Sequence, residues 1–330
     1  MVELGGNVDN PLPLTRKNLA LLNSLNGNSS SIKNSAYFEN DTMKPISTTA
    51  SGFEQQAYEN GILDPTASKP PHDVGTVQHH LTKRRSSTQP SERTHEQYCQ
   101  RVFRSFNEAE ASHLIQSKIM IDYEDSSMHY GRSTSRAITQ IPQQDFNMGL
   151  SNPLPDILEG LITETLPSSM HGHSLHSLPG NSRPPSRSLD SNGRPSSSSL
   201  ALCHFATELK RKDGNLRQAV SQAAYDGATL VYARDQALAQ ATAGTSAAVD
   251  KVAGETAVLT CVTDGKVAEV FAHHFQNGVY HQNLVASESL LSYPNRGREL
   301  IRNAQDYARR KAYEMAALLG ANLKEEEEEE

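Results

Sequence analysis

One apolar run that ends in two charges limits what this chain can become: Leu202-Cys203-His204-Phe205-Ala206-Thr207-Glu208-Leu209-Lys210. It reads as a buried strand, followed by a turn at Asp213-Gly214 and a helix from about Asn215. Side chains alternate along a strand, so Glu208 and Lys210 leave the same face about 7 Å apart. A carboxylate and an ammonium at the end of an apolar strand are costly to bury unless each has a partner or a task. A metal-dependent phosphodiester site needs that pairing: the carboxylate binds Mg²⁺, and the lysine positions water or stabilises charge on the phosphate. The plain alternative is an ion pair at a strand edge, because Glu-x-Lys tripeptides are common.

Charge and cysteine usage narrow the setting. The terminal run Glu325–Glu330 supplies six of the seven net negative charges, so the rest of the chain is close to neutral. Overall charge therefore gives no argument for nucleic acid, and such binding would rest on a local basic patch. Cys99, Cys203 and Cys261 lie far apart with no Cys-x-x-Cys spacing, which fits reduced thiols in an intracellular protein, with nucleus and cytoplasm both open. Neither a signal pattern at the N-terminus nor an apolar run of membrane-spanning length is present, so no membrane partner is expected.

The expected organisation has five parts. Residues 1–50, rich in Asn, Ser, Thr and Gly, form a disordered arm. Residues 51–167 carry a short helix from Phe53 to Gly61, a Pro/Ser-rich stretch with the basic triplet Lys83-Arg84-Arg85, and one helix over 95–120 capped by Thr94. The triplet fits a nuclear-import signal or a solvated linker. After a polar stretch over 122–144, Pro153-Leu154-Pro155-Asp156-Ile157-Leu158 is an extended entry into a short strand. Between 168 and 199, 19 of 32 positions are Ser, Pro or Gly, which is the composition of a disordered insertion; its His171, His173 and His176 lack partners at metal-ligand spacing. Residues 200–320 form the core: a helix over 215–240 interrupted only at Gly227, strands over 257–263 and 266–275 joined at Asp264-Gly265, a strand over 279–285, and a helix over 296–319. Residues 321–330 are an acidic tail.

The order helix, Pro155-Asp156, strand with Glu208-Leu209-Lys210, helix with Gln218 and Gln222, then strands resembles the PD-(D/E)xK nuclease-like superfamily. Leu202-Cys203-His204-Phe205, Gln222-Ala223-Ala224-Tyr225-Asp226-Gly227-Ala228 and Arg302-Asn303-Ala304-Gln305-Asp306-Tyr307-Ala308 are similar to segments of a group of uncharacterised fungal proteins. The resemblance covers roughly residues 145–320 and implies an α/β fold: a central mixed β-sheet flanked by helices, restriction-endonuclease-like, with long disordered segments. It implies Asp156 and Glu208 as Mg²⁺ ligands, Lys210 as the group that holds water, and Gln222 (or Gln218) as a helix residue orienting Lys210 or touching phosphate. Glu159 is a rival to Asp156 for the second carboxylate. The function implied is a Mg²⁺-dependent phosphodiesterase acting on DNA or RNA; the alternative is an inactive nuclease fold serving as a nucleic-acid or protein interaction module. Arg298, Arg302 and Arg309, spaced i, i+4, i+11 on the last helix, offer a cationic stripe for a phosphate backbone, or else pair with Glu299, Asp306 and Glu314.

Overall fold

Apolar segments of strand and helix length alternate from residue 157 onward, and they assemble as layers because a sheet buried on both faces needs helices over each. The computed structural model describes residues 45–85, 90–105, 107–121, 130–134, 145–162, 200–241 and 254–319. The elements are α1 (Phe53–Glu59), α2 (Val74–Thr82), α3 (Glu92–Arg104), α4 (Glu108–Lys118), β1 (Tyr130–Thr134), β2 (Ile157–Ile162), β3 (Leu200–Leu209), α5 (Leu216–Ala241), β4 (Val258–Thr263), β5 (Val267–Gln276), β6 (Val279–Ser289) and α6 (Arg296–Leu318). The six strands form one mixed sheet in chain order, β1 to β6. Only β3 and β4 run parallel, because α5 crosses between them; the other pairs are antiparallel. The protein is therefore an α/β fold with a central mixed sheet between helices.

One face of the sheet, with Ile157, Phe205, Leu209, Leu259 and Val270, packs against α6, α2, α3 and α4. The other face, with Leu158, Ala206 and Val258, packs against α5 and α1 through Tyr225, Ala228, Val231 and Phe53. Ala219 and Ala223 of α5 also lie on Val262 and Phe271. Small residues on α5 let the helix approach closely, and this fixes its rotation over β3 and β4.

Gly227 shows how close that approach is. The helix runs through this position without interruption, against the expectation of a break. A Cβ here would sit 2.1 Å from His273 Nδ1, so the ring occupies the space a side chain would need. The same ring shares a hydrogen bond with Thr260 Oγ1 at 2.8 Å. Gly160 does similar work on β2, where a Cβ would lie 2.7 Å from both Ala201 O and Cys203 Sγ. The β2–β3 register shifts at this point, and Leu202 adopts φ 47, so the strand carries a bulge that lets the chains cross closely.

Several expectations need correction. The single helix over 95–120 is two helices, α3 and α4. Ser91, not Thr94, caps α3, accepting from Thr94 N at 3.2 Å; Asn107 caps α4, accepting from Glu110 N at 2.9 Å. The Pro/Ser-rich stretch contains α2, and the polar stretch over 122–144 contains β1. Within the expected N-terminal arm, Ile46 bridges Leu150. Residues 1–44 of that arm, the 168–199 segment with its histidines, and the acidic tail lie outside the described residues. Arg84 and Arg85 are tied to α6, pairing with Glu299 and Asp306.

Gly227→Ala tests the α5–sheet approach. Helix propensity alone would favour alanine by about 1 kcal/mol. The clash with His273 reverses that sign, and a net destabilisation of about 1–3 kcal/mol is expected in urea unfolding. A stabilised Gly227→Ala variant would show that α5 does not pack on His273 as described.

Candidate functional site: an acidic cluster at the end of β3

Register places the first two site residues. Ile157 lies opposite Thr207 at the end of the antiparallel β2–β3 pair, so Asp156, the residue before β2, comes beside the end of β3, where Glu208 lies. Both leave the face covered by α5, since Leu158 and Ala206 do so and the period is two. Asp156 Oδ2 accepts the Leu209 N–H at 2.7 Å, which anchors the entry of β2 to the end of β3. Lys210 follows directly, its N–H donating to Thr263 O at 2.9 Å. Its Nζ lies 3.6 Å from Glu208 Oε2 and 3.9 Å from Glu108 Oε1 at the start of α4. Asp156, Glu208 and Lys210 are thus gathered at one end of the sheet.

The helix above adds a residue that sequence reasoning gave no role. Asp226 on α5 is buried, and its carboxyl is in hydrogen-bonding contact with that of Glu208. A signal was present: Asp226 stands in Ala-Ala-Tyr-Asp-Gly-Ala-Thr-Leu-Val, a lone charge in a stretch of small and apolar residues. Gln222, one turn earlier, donates from Nε2 to Thr48 Oγ1 at 3.2 Å, while its Oε1 is buried with no hydrogen-bond partner among the described residues. Gln218 is bound through its backbone N–H to Asn215 Oδ1 at 3.2 Å, in the first turn of α5.

Electrostatics follow from three carboxyls and one ammonium out of water. Burial pushes the Asp156 carboxyl above its ordinary range, against the opposing pull of the Leu209 N–H and Lys210. Glu208 is raised further, first by burial, then by the charges of Asp226 and Asp156, with Lys210 opposing. Asp226 is also raised, again chiefly by burial. Both carboxyls of the Glu208–Asp226 pair are therefore raised, because two bare carboxylates in contact inside a protein repel strongly.

Two other candidates are placed elsewhere. Glu159 faces the opposite side of the sheet, where its Oε1 accepts from Arg132 Nε and Gln305 Nε2, each at 2.8 Å, so it does not join Glu208. Arg298 and Arg302 of α6 also lie on that opposite side and serve the end of α4. Arg302 donates from Nε to Ile119 O at 2.8 Å and from Nη2 to Met120 O at 3.1 Å; Arg298 Nε donates to Lys118 O at 3.2 Å. Arg309 Nη2 lies 3.6 Å from Asp306 Oδ1. Arg298 and Arg302 thus bond the carbonyls at the C-terminal end of α4, while Arg309 pairs with Asp306, as the alternative reading had it.

Among the described residues, no three His, Cys, Asp or Glu side chains form a group that could hold a metal ion, and no helix is long and apolar enough to cross a membrane. No family model matches the chain, and no curated protein matches it. Fold and cluster together define a mixed α/β protein with a buried carboxylate–lysine site at the end of its parallel strand pair.

Two substitutions separate frame from chemistry. Arg302→Ala should destabilise the fold by about 1–3 kcal/mol through two lost charged hydrogen bonds, measured by urea unfolding. An Arg302→Ala protein as stable as the parent would return that residue to the solvent-facing stripe. Asp156→Asn should keep the bond from the Leu209 N–H and the fold, whereas Asp156→Ala should lose about 1–3 kcal/mol. Equal stability of the two variants would mean that the Asp156–Leu209 bond does not anchor β2.

Proposed function

We propose that this chain is a Mg²⁺-dependent phosphodiesterase of the PD-(D/E)xK kind, acting on nucleic acid. The observation that carries the reading is the placement of Asp156, bonded at the entry to β2 to the Leu209 N–H, beside the end of β3, with Lys210 beside Glu208 there. The donor set fits the ion: both ligands are carboxylates, and Mg²⁺ takes oxygen donors while keeping several waters. A buried acceptor with no hydrogen-bond partner among the described residues, Gln222 Oε1, also favours a positive guest nearby.

In this reading Asp156 and Glu208 hold Mg²⁺. When bound, the ion supplies Lewis-acid activation of a phosphoryl oxygen and of water. Lys210 Nζ, with its side chain only 12% exposed, orients that water or meets negative charge developing on the phosphate. Glu108, 3.9 Å from Lys210 Nζ, holds the ammonium toward the mouth of the site. Gln222 lies one helical turn from Asp226 and offers its Oε1 as a further acceptor.

A second reading is an inactive nuclease fold serving as an interaction module. It is favoured by Arg298 and Arg302 of α6, which are spent on carbonyls at the end of α4, and by Arg309, which pairs with Asp306, rather than being left for a phosphate backbone. The two readings part on one assay, in which Mg²⁺ is titrated calorimetrically into the full chain and mixed DNA and RNA substrates are followed for cleavage. Cleavage with Mg²⁺, its absence in chelator, and a loss of about a hundredfold or more in Lys210→Met without loss of Mg²⁺ binding are expected. A chain that binds no Mg²⁺ and cuts neither nucleic acid is the interaction module instead.

A further inference from the structure

The sheet edge at β6 is covered by a strap of chain, residues 61–72, that precedes α2. Ile62 bridges Tyr280: Leu63 N donates to Tyr280 O at 2.9 Å, and Tyr280 N donates to Gly61 O at 2.8 Å. Further along β6, side chains take over from backbone. Gln282 N donates to Ser68 Oγ at 2.8 Å, and Lys69 N donates to His281 Nδ1 at 3.2 Å. His72 N then donates to Gly254 O at 2.8 Å. The strap thus occupies backbone groups of an edge strand that would otherwise be open to pairing.

One of these ties depends on a protonation state. A backbone N–H can only donate, so His281 Nδ1 carries a lone pair while the strap is down. His281 is buried, and its ring stacks on that of His274, its cross-strand neighbour on β5, with centroids 4.7 Å and planes 19° apart. His274 is buried too, and neither of its ring nitrogens has a hydrogen-bond partner among the described residues. A proton on either ring would bury a charge against the other ring. On His281 it would also turn the acceptor that holds Lys69 N into a donor facing it.

The surroundings reinforce this. Burial first, then the neighbouring charges, holds both rings below the ordinary imidazole range, His274 at about 4. His72 acts on His274 in the same direction, and the Lys69 ammonium does so on His281. The Asp73 carboxyl and the Gln276 backbone act the other way, but Asp73 Oδ1 is already engaged by Thr256 N and Oγ1 at 2.9 and 2.7 Å. His273, next to His274, turns to the α5 side and bonds Thr260.

We infer that the His274–His281 pair is an acid-sensitive latch, which holds the 61–72 strap on β6 while both rings are neutral and frees it when they take up protons. The latch uses none of the residues of the carboxylate–lysine site and stands apart from the reading of that site. Its sign follows from linkage: the open form binds protons more tightly than the closed one. The hold is therefore complete above about pH 6.5 and is lost as pH falls toward the closed-state values.

Amide hydrogen exchange of the full chain, read by mass spectrometry and corrected for the intrinsic effect of pH, tests this. Protection of strap peptides should fall about tenfold or more between about pH 7.5 and pH 5, while peptides of α5 keep theirs. His274→Phe keeps a ring that cannot titrate, and His281→Asn keeps an acceptor near Nδ1. Each single variant should lose part of the pH dependence, and the double variant should hold its strap equally well at both pH values. Strap protection in the parent that does not change with pH would overturn the inference. So would protection lost in α5 at the same pH as in the strap, since the change would then be global unfolding. Single variants that keep the full pH dependence of the parent would overturn it as well.

Discussion

A carboxylate buried between a sheet and a helix must be given company, and the placement of Glu208 makes this the governing constraint of the molecule. Glu208 lies near the end of β3 beneath α5, and Lys210 is the cation within ion-pairing distance of it. The alternation of a strand puts Lys210 on the same face, which is the least that local geometry can provide. The rest comes from elsewhere in the chain: Asp156 from the entry to β2, Asp226 from α5 and Glu108 from α4. Four elements thus converge on one strand end, and a packing change in any of them alters the electrostatics there.

The two sheet faces divide the labour. On the α6 side, the central charged groups have found partners: Glu159 accepts from Arg132 and Gln305, and Arg302 donates to two carbonyls beyond the end of α4. On the α5 side, carboxyls are left in contact and acceptors without donors among the described residues. Strain of that kind is tolerated where the surrounding packing over-determines it, and Gly227 against His273 supplies such packing. The contrast is what marks one cluster as a site and the other as framework.

Much of this was legible in residue order, for reasons that differ by element. β3, β4 and α5 declared themselves because apolar runs of the right length, bounded by Asp-Gly turns, leave little choice of period. The break between α3 and α4 did not, because the helical spacing of Tyr98, Val102 and Leu114 carries across it and only Asn107, a cap, interrupts. β1 reads as polar loop because Arg132 is on it for an ion pair with Glu159 that no local pattern announces. On α6 the local pairing of Arg309 with Asp306 and Arg310 with Glu314 was legible from spacing, but the partners of Arg298 and Arg302 are backbone carbonyls 180 or more positions away, which side-chain pairing rules cannot find. Asp226 was visible as a lone charge among small residues; what it touches required the fold.

The distance in sequence between Asp156 and Glu208 has little bearing on the site. Their relation is set by the β2–β3 register, Ile157 opposite Thr207, and by the bond from the Leu209 N–H to Asp156. Chain joining two antiparallel strands adds closure entropy only logarithmically, about 0.6 kcal/mol for each doubling of its length. A Ser/Pro/Gly-rich segment between the strands therefore costs the pairing little, while the bulge at Gly160 and Leu202 holds the crossing at the far end of the pair. The carboxylates are kept at one end of the sheet by backbone geometry close to them, so the segment between can vary in length and composition without moving either one. Position in the ladder, rather than spacing along the chain, is what pairs these two residues.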